Sequence, residues 1–259
     1  MISILLSTFN SEKTIIRSLY SILSSSFPDF ELIVIDDGSK DFTKKLVLEL
    51  SVNDNRFLVK SNSCNLGLAK SLNLAFSYAK HDYIARMDAD DICKPYRLKV
   101  QLEYMLAHPE IDILGGNSEL IDSHSNVIGK TNLPLDHDSI IKALEYRNPM
   151  VHPAVMMKRE VLEKLGGYDE RLRKAQDLDL WHRAAKAGFR FANLSDYLIQ
   201  YRVDLNKSSK TILKGFSVSI SHAIRNRSLK GVFFSGLDLV KYFIIKFKLY
   251  TPKSLRNRV

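Results

Sequence analysis

Cysteine is nearly absent from this 259-residue chain: Cys64 and Cys93 are too few for a disulfide framework, and their spacing matches no zinc-binding pattern. Both are expected as buried or free thiols in a reducing compartment. The chain opens Met-Ile-Ser-Ile-Leu-Leu-Ser-Thr, without the basic flank of a secretory signal, so this stretch reads as a first buried strand. Glycine is missing from Ser7–Lys13, which argues against the Gly-rich phosphate loop of a nucleotidyltransferase after that strand. There is no internal repeat, low-complexity segment or Pro/Gly linker.

Acidic residues are almost missing from one end. The net charge is +9, yet residues 205–259 hold 12 of the 38 Lys/Arg and a single acid, Asp238. Residues 1–204 are therefore slightly acidic, which speaks against nucleic acid as a partner. The basic tail suits docking on an anionic surface.

With 45% hydrophobic and 26% charged residues, the remainder is ordinary globular material. Its first ninety residues alternate short apolar runs with helical spacing. Strands are expected at Ile2–Ser7, Leu32–Ile35, Phe57–Val59 and Tyr83–Met87, with helices over 12–23, around Leu46–Leu50 and at Leu68–Ala79. Such alternation predicts a mainly parallel α/β sheet covered on both faces, with ligands beyond the carboxyl ends of its strands. Further on, helices are expected at Pro95–Ala107, Asp136–Tyr146, Arg159–Leu165 and Asp177–Ala187. Strands are expected at Ile111–Leu114, Val155–Met157, Phe189–Leu194 and Tyr197–Val203.

Three acidic clusters fall at these ends. Asp36-Asp37-Gly38-Ser39 closes the second strand, where carboxylates can accept from a base or ribose, or simply shape a turn. Asp88-Ala89-Asp90-Asp91 follows the fourth strand. Alternate carboxylates in extended chain face one side, so Asp88 and Asp90 can converge on a hard divalent cation such as Mg²⁺ or Mn²⁺. Gln176-Asp177-Leu178-Asp179 opens a helix, where Asp177 is either a first-turn acid or a general base.

Taken together with Ser7-Thr8-Phe9-Asn10, Asn65-Leu66-Gly67, His152-Pro153, Gly166-Gly167-Tyr168-Asp169-Glu170 and Leu180-Trp181, these clusters resemble the inverting nucleotide-sugar glycosyltransferases of family 2. The resemblance covers roughly residues 1–204. It implies a GT-A fold, with a nucleotide-binding half over 1–92 and an acceptor-side half over 93–204. It also implies a metal-dependent enzyme moving a sugar from a nucleotide-diphosphate donor, by family frequency a UDP-sugar, to an acceptor hydroxyl. Thr8 and Asp37 would lie against the nucleoside, with Asp36 supporting the turn and Asp88 near the ribose or sugar. Asp90 would coordinate the metal, assisted by Asp91, and Asp177 would be the catalytic base. Two departures from the family pattern stand out: Gln176 replaces the first acid of a Glu-Asp pair, and Asp204 stands where many members have histidine after Tyr-Arg. His152 and Trp181 suit packing or acceptor contact equally.

Within the tail, Phe233, Leu237, Val240, Ile244 and Phe247 share one helical face, and four charges in residues 231–250 argue against a spanning helix. An interfacial helix fits, giving an enzyme on the inner face of the cell membrane acting on a saccharide or lipid-linked acceptor in surface-polysaccharide synthesis. The competing readings are a nucleotidyltransferase making nucleotide sugars and a non-catalytic membrane-associated assembly protein. The glycine-free first loop weighs against one of these, and the three intact acidic clusters weigh against the other.

Overall fold

The structure, a computed structural model, describes residues 1–203. Strands β1 (Ile2–Thr8) and β2 (Phe30–Asp36) are buried along nearly their whole length, which is why they read as unbroken apolar runs rather than alternation. Helix α1 (Ile15–Leu23) crosses between them and buries Ile15, Leu19 and Ile22, one face at helical spacing. Helix α2 (Thr43–Ser51) leads to β3 (Phe57–Ser61), and α3 (Leu68–Tyr78) leads to β4 (Tyr83–Asp88). The order β3-β2-β1-β4 is parallel throughout, so all four carboxyl ends share one edge.

A two-residue strand, β5 (Ile92–Cys93), precedes α4 (Arg97–Ala107). The chain continues through β6 (Ile113–Ile121), β7 (Val127–Lys130), α5 (His137–Leu144), a 3₁₀ turn (His152–Ala154), β8 (Met156–Lys158), α6 (Arg159–Leu165), α7 (Gln176–Lys186) and β9 (Phe191–Arg202). Beyond β4 the sheet runs β8-β6-β9-β5, with β7 on β6. Its long ladders are parallel; only the short strands β5, β7 and β8 pair antiparallel. Two compact units are present. Of the described residues, 1–140 and 149–203 belong to the first and 141–148 to the second.

One expectation needs revision. Phe189–Leu194 and Tyr197–Val203 are not two strands but one, β9, whose register against β6 slips beside Asn117. The polar pair Ser195-Asp196 is a bulge: Leu194 faces Gly116, Tyr197 faces Asn117, and the Asn117 side chain donates to the Ser195 carbonyl at 3.2 Å. Strand β5, too short to carry a pattern, and the 3₁₀ turn had no sequence signal. Helix α6 ends at Gly166 with φ 69°, the left-handed stop expected of the Gly166-Gly167 pair.

A buried polar knot fixes α4 to the sheet. Arg97 donates to Gln101 Oε1 at 2.9 Å and to the Arg86 and Val155 carbonyls, while Gln101 donates to the Leu114 and Ala154 carbonyls. Those bonds satisfy main-chain groups where the strands around β8 are too short to pair them all. The segment carrying the second acidic cluster, between β4 and α4, is thereby anchored at its far end.

Candidate active site

The strand register assembles the site. Thr8 lies opposite Asp36 across β1–β2, and Ser7 lies opposite Asp88 across β1–β4, so three neighbouring strands deliver polar side chains to one edge. Thr8 and Asp36 are buried at 2% and 1% exposure, and Thr8 Oγ1 and Asp36 Oδ1 have no hydrogen-bond partner within the protein. Buried polar atoms are normally paired, so an unpartnered hydroxyl and carboxylate oxygen at adjacent strand ends mark this edge for a functional role.

Asp37 is differently employed. Its Oδ1 accepts from Asn62 Nδ2 at 2.7 Å and the Leu66 N–H at 2.9 Å, and its Oδ2 accepts from the Gly67 N–H at 2.9 Å. The carboxylate thus holds the β3–α3 loop against the end of β2. Gly38, at φ +75°, completes the turn; a Cβ there would lie 2.6 Å from the Cys64 carbonyl carbon. The loops after β1 and β2 are laced together in turn: Asn10 N–H to Ser39 Oγ, Lys40 N–H to Asn10 Oδ1, and Ser11 N–H to Thr43 Oγ1.

At the end of β4, one ligand atom each from Asp88, Asp90 and Asp91 lie within 4.8 Å of one another. Asp88 forms an ion pair with the buried Arg86, two residues earlier on the same strand face. Asp91 is buried; its Oδ1 accepts the Arg202 N–H at 2.7 Å and its Oδ2 has no partner. Burial, then the charges of Asp88 and Asp90, push the Asp91 carboxyl up to about 8. Asp90 is accessible at the mouth of the cluster but crowded by protein, and its pKa is raised, first by lost solvation and then by Asp88. Three crowded carboxylates with an unpartnered buried oxygen are a donor set suited to a hard divalent cation. Beside them a cavity of about 550 Å³ is lined by Ser7, Phe9, Asn10, Asp88, Asp90 and Arg202 among others.

Arg202 braces this wall: its Nε donates to the Asp90 carbonyl at 2.9 Å, Nη1 to the Asp122 carbonyl and Nη2 to Ser125 Oγ. The N-cap of α7 is Ala175, whose backbone is left-handed (φ 56°) and which supplies no side-chain cap. Asp177 therefore sits in the first turn without being the N-cap. Asp179 is committed to Arg183, at 2.8 Å. Asp177 and Asp88 both act electrostatically on the buried Tyr168 hydroxyl, whose pKa is raised chiefly by burial, so the two carboxylates bear on one interior group.

The comparisons with known proteins agree. The glycosyl transferase family 2 profile matches residues 3–166. The chain belongs to that family. It is similar to the O-antigen biosynthesis glycosyltransferase WbnJ of Escherichia coli, with 32% identity over 94% of this chain and 95% of that one. Among solved structures it resembles Staphylococcus aureus TarS 1–349 in complex with UDP-GlcNAc, with TM-score 0.68, 21% identity and coverage of 86% of this chain and 65% of that chain. It also resembles the mannosyltransferase PcManGT of Pyrobaculum calidifontis in complex with GDP-Man and Mn²⁺, with TM-score 0.68, 18% identity and coverage of 91% and 68%. The fold is the GT-A fold expected from the sequence.

In this family 2 chain, the residues singled out from sequence fall into groups. Thr8 and Asp36 lie together at two strand ends, and Asp88, Asp90 and Asp91 form one cluster. Asp37 accepts the backbone N–H groups of Leu66 and Gly67 and so holds the β3–α3 loop beside them. His152 proves to be interior: its Nε2 lies 2.8 Å from the Tyr168 hydroxyl and its ring meets Trp181 edge-on. Burial lowers its pKa well below the usual value, so it is neutral. Sequence reading missed Arg86, because a lone arginine inside an apolar strand carries no motif; its position two residues before Asp88 was the available signal. Among the described residues, no helix is long and apolar enough to cross a membrane. The interfacial helix expected over 231–250 and Asp204 lie outside the described residues.

Proposed function

We propose that this enzyme is an inverting, metal-dependent glycosyltransferase that moves a sugar from a UDP-sugar to an acceptor hydroxyl during synthesis of a bacterial surface polysaccharide. The observation that carries it is the convergence, at one sheet edge, of the unpartnered Thr8–Asp36 pair and the Asp88–Asp90–Asp91 cluster. Support for the donor class comes from the UDP-GlcNAc complex of TarS, and for the pathway from the O-antigen role in the name of WbnJ. Thr8 and Asp36 offer a hydroxyl and a carboxylate acceptor to the nucleoside, and Asp37 keeps the facing loop in place. Asp90, with Asp88 and Asp91, would hold Mn²⁺ or Mg²⁺; when bound, such an ion offsets charge on the leaving diphosphate. Asp177 accepts the proton of the acceptor hydroxyl as that oxygen attacks the anomeric carbon from the face opposite the leaving group. A single displacement of this kind inverts the anomeric centre and requires no protein nucleophile.

The test is a panel of nucleotide sugars in thermal-shift and turnover assays, with Mn²⁺ or with excess EDTA. A native-state ligand raises the melting temperature, so one UDP-sugar should stabilise the protein in Mn²⁺ and lose most of that effect in EDTA. Full transfer in EDTA would remove the metal-dependent reading, as would an Asp90→Asn variant of near-normal turnover.

A further inference from the structure

Beneath the acidic cluster lies a cation that the proposed reaction has not used. Arg86 is 3% exposed, and two of its nitrogens, Nε and Nη1, are buried without a hydrogen-bond partner. Its remaining terminal nitrogen, Nη2, pairs with Asp88 Oδ1. A guanidinium in this condition is costly to bury unless negative charge compensates it. The other two arginines nearby cannot take its place: Arg97 is turned to Gln101, Met87 and main-chain carbonyls, and the Arg202 guanidinium to two carbonyls and a serine hydroxyl. Among the described residues of this cluster, Arg86 is thus the guanidinium paired with a carboxylate.

We propose that Arg86 is the built-in counter-cation of the site, neutralising one of its three carboxylates so that the remaining charge matches a single divalent ion. Alternate residues of β4 put both side chains on one face, which brings the guanidinium against Asp88 Oδ1. Arg86 and the metal would stabilise the same cluster from opposite sides, so their effects are antagonistic: removing one strengthens the demand for the other. The inference rests on the metal-dependent reading above.

The measurement is Mn²⁺ binding to the full chain by calorimetry, with thermal melts in Mn²⁺ and in EDTA, for wild type, Arg86→Lys and Arg86→Met. Charge removal a few ångströms from a divalent ion is worth well over a factor of ten at an effective protein dielectric. Arg86→Met should therefore bind Mn²⁺ at least about tenfold more tightly than wild type. Its melting temperature should fall in EDTA and recover in Mn²⁺ by more than the wild-type increment. Arg86→Lys keeps the charge and should bind Mn²⁺ within about threefold of wild type. An arginine that merely packs would lower both melts equally and leave Mn²⁺ affinity unchanged, and that result overturns the proposal. If Arg86→Met is unfolded in EDTA, folding restored by Mn²⁺ supports the counter-cation role and failure of Mn²⁺ to restore it rejects that role. Wild type that binds no Mn²⁺ would instead remove the metal site itself.

Discussion

Asp91 carries the most consequential single-residue chemistry, because burial and the neighbouring charges of Asp88 and Asp90 push its carboxyl up to about 8. The sign follows from proton counting. A carboxyl whose native pKa is raised holds more protons in the folded than in the unfolded state between the two values, so stability falls as pH rises through that window. Metal-free protein should melt at progressively lower temperature between about pH 5 and pH 8, and saturating Mn²⁺ should flatten the slope because a bound cation keeps Asp91 ionised in the folded state. Proton release on Mn²⁺ binding at pH 7, read by calorimetry in buffers of different ionisation enthalpy, checks the same linkage. At Asp177 the expectation is kinetic. Asp177→Asn keeps the shape but cannot accept a proton, so turnover should drop by about 10²-fold or more while donor binding stays within a few-fold. Should turnover survive, Asp179 is a poor substitute, because Arg183 already occupies its carboxylate. The acids were legible in the sequence because motif and strand end coincide. Their division of labour was not: which of Asp36 and Asp37 grips the loop depends on where the Leu66 and Gly67 N–H groups arrive, and that is fixed only by the β2–β3 pairing.

Between residues and the whole, the turn after β2 is the element on which nucleotide-side geometry depends. It combines a saturated carboxylate, a left-handed glycine and a laced pair of loops. Gly38→Ala places a side chain at φ +75° and a methyl group against the Cys64 main chain at 2.6 Å. The left-handed conformation alone costs about 1–2 kcal/mol for an L-residue, and the contact adds to it. The variant should lose about 2 kcal/mol or more in urea unfolding and show a raised donor KM, because β2 and the β3–α3 loop can no longer approach as closely. An unchanged KM in folded protein would separate this turn from the nucleotide. Elements of regular pattern were read closely from sequence, as with β1, α1 and α6, whose apolar spacing and glycine stop are local properties. The bulge in β9 was not, since Ser195-Asp196 looks like a break to any local rule. Only the fixed neighbour β6, with Gly115 and Gly116 allowing close approach of β9 side chains, carries the strand through. Strand β5, at two residues, exists only because β9 lies beside it.

For the whole molecule, the uneven charge is the property that the catalytic fold does not account for. All of the excess positive charge lies beyond residue 204, within 55 residues that contain one acid. Read as a helix, the sequence of 231–250 would place Phe233, Leu237, Val240, Ile244 and Phe247 on one face, with Lys241 and Lys248 elsewhere. Near an anionic leaflet each basic residue contributes about 1 kcal/mol, falling off within a Debye length, while buried aromatic rings add a salt-insensitive part. We propose on this basis that the tail holds the enzyme at a membrane surface, where a lipid-linked acceptor would be presented. The full chain should co-sediment with vesicles rich in anionic lipid, more weakly with neutral vesicles, and should be partly released at high salt. Replacing Lys241, Lys246 and Lys248 with Gln should weaken sedimentation mainly at low salt, whereas Phe243→Ser with Phe247→Ser should weaken it at every salt concentration. In both variants, Mn²⁺-dependent donor hydrolysis in the absence of vesicles should persist, because the three acidic clusters all lie upstream. Vesicle binding equal to wild type in both variants would remove the membrane role of the tail without touching the proposed chemistry. Loss of hydrolysis together with binding would show instead that these side chains pack on the catalytic domain.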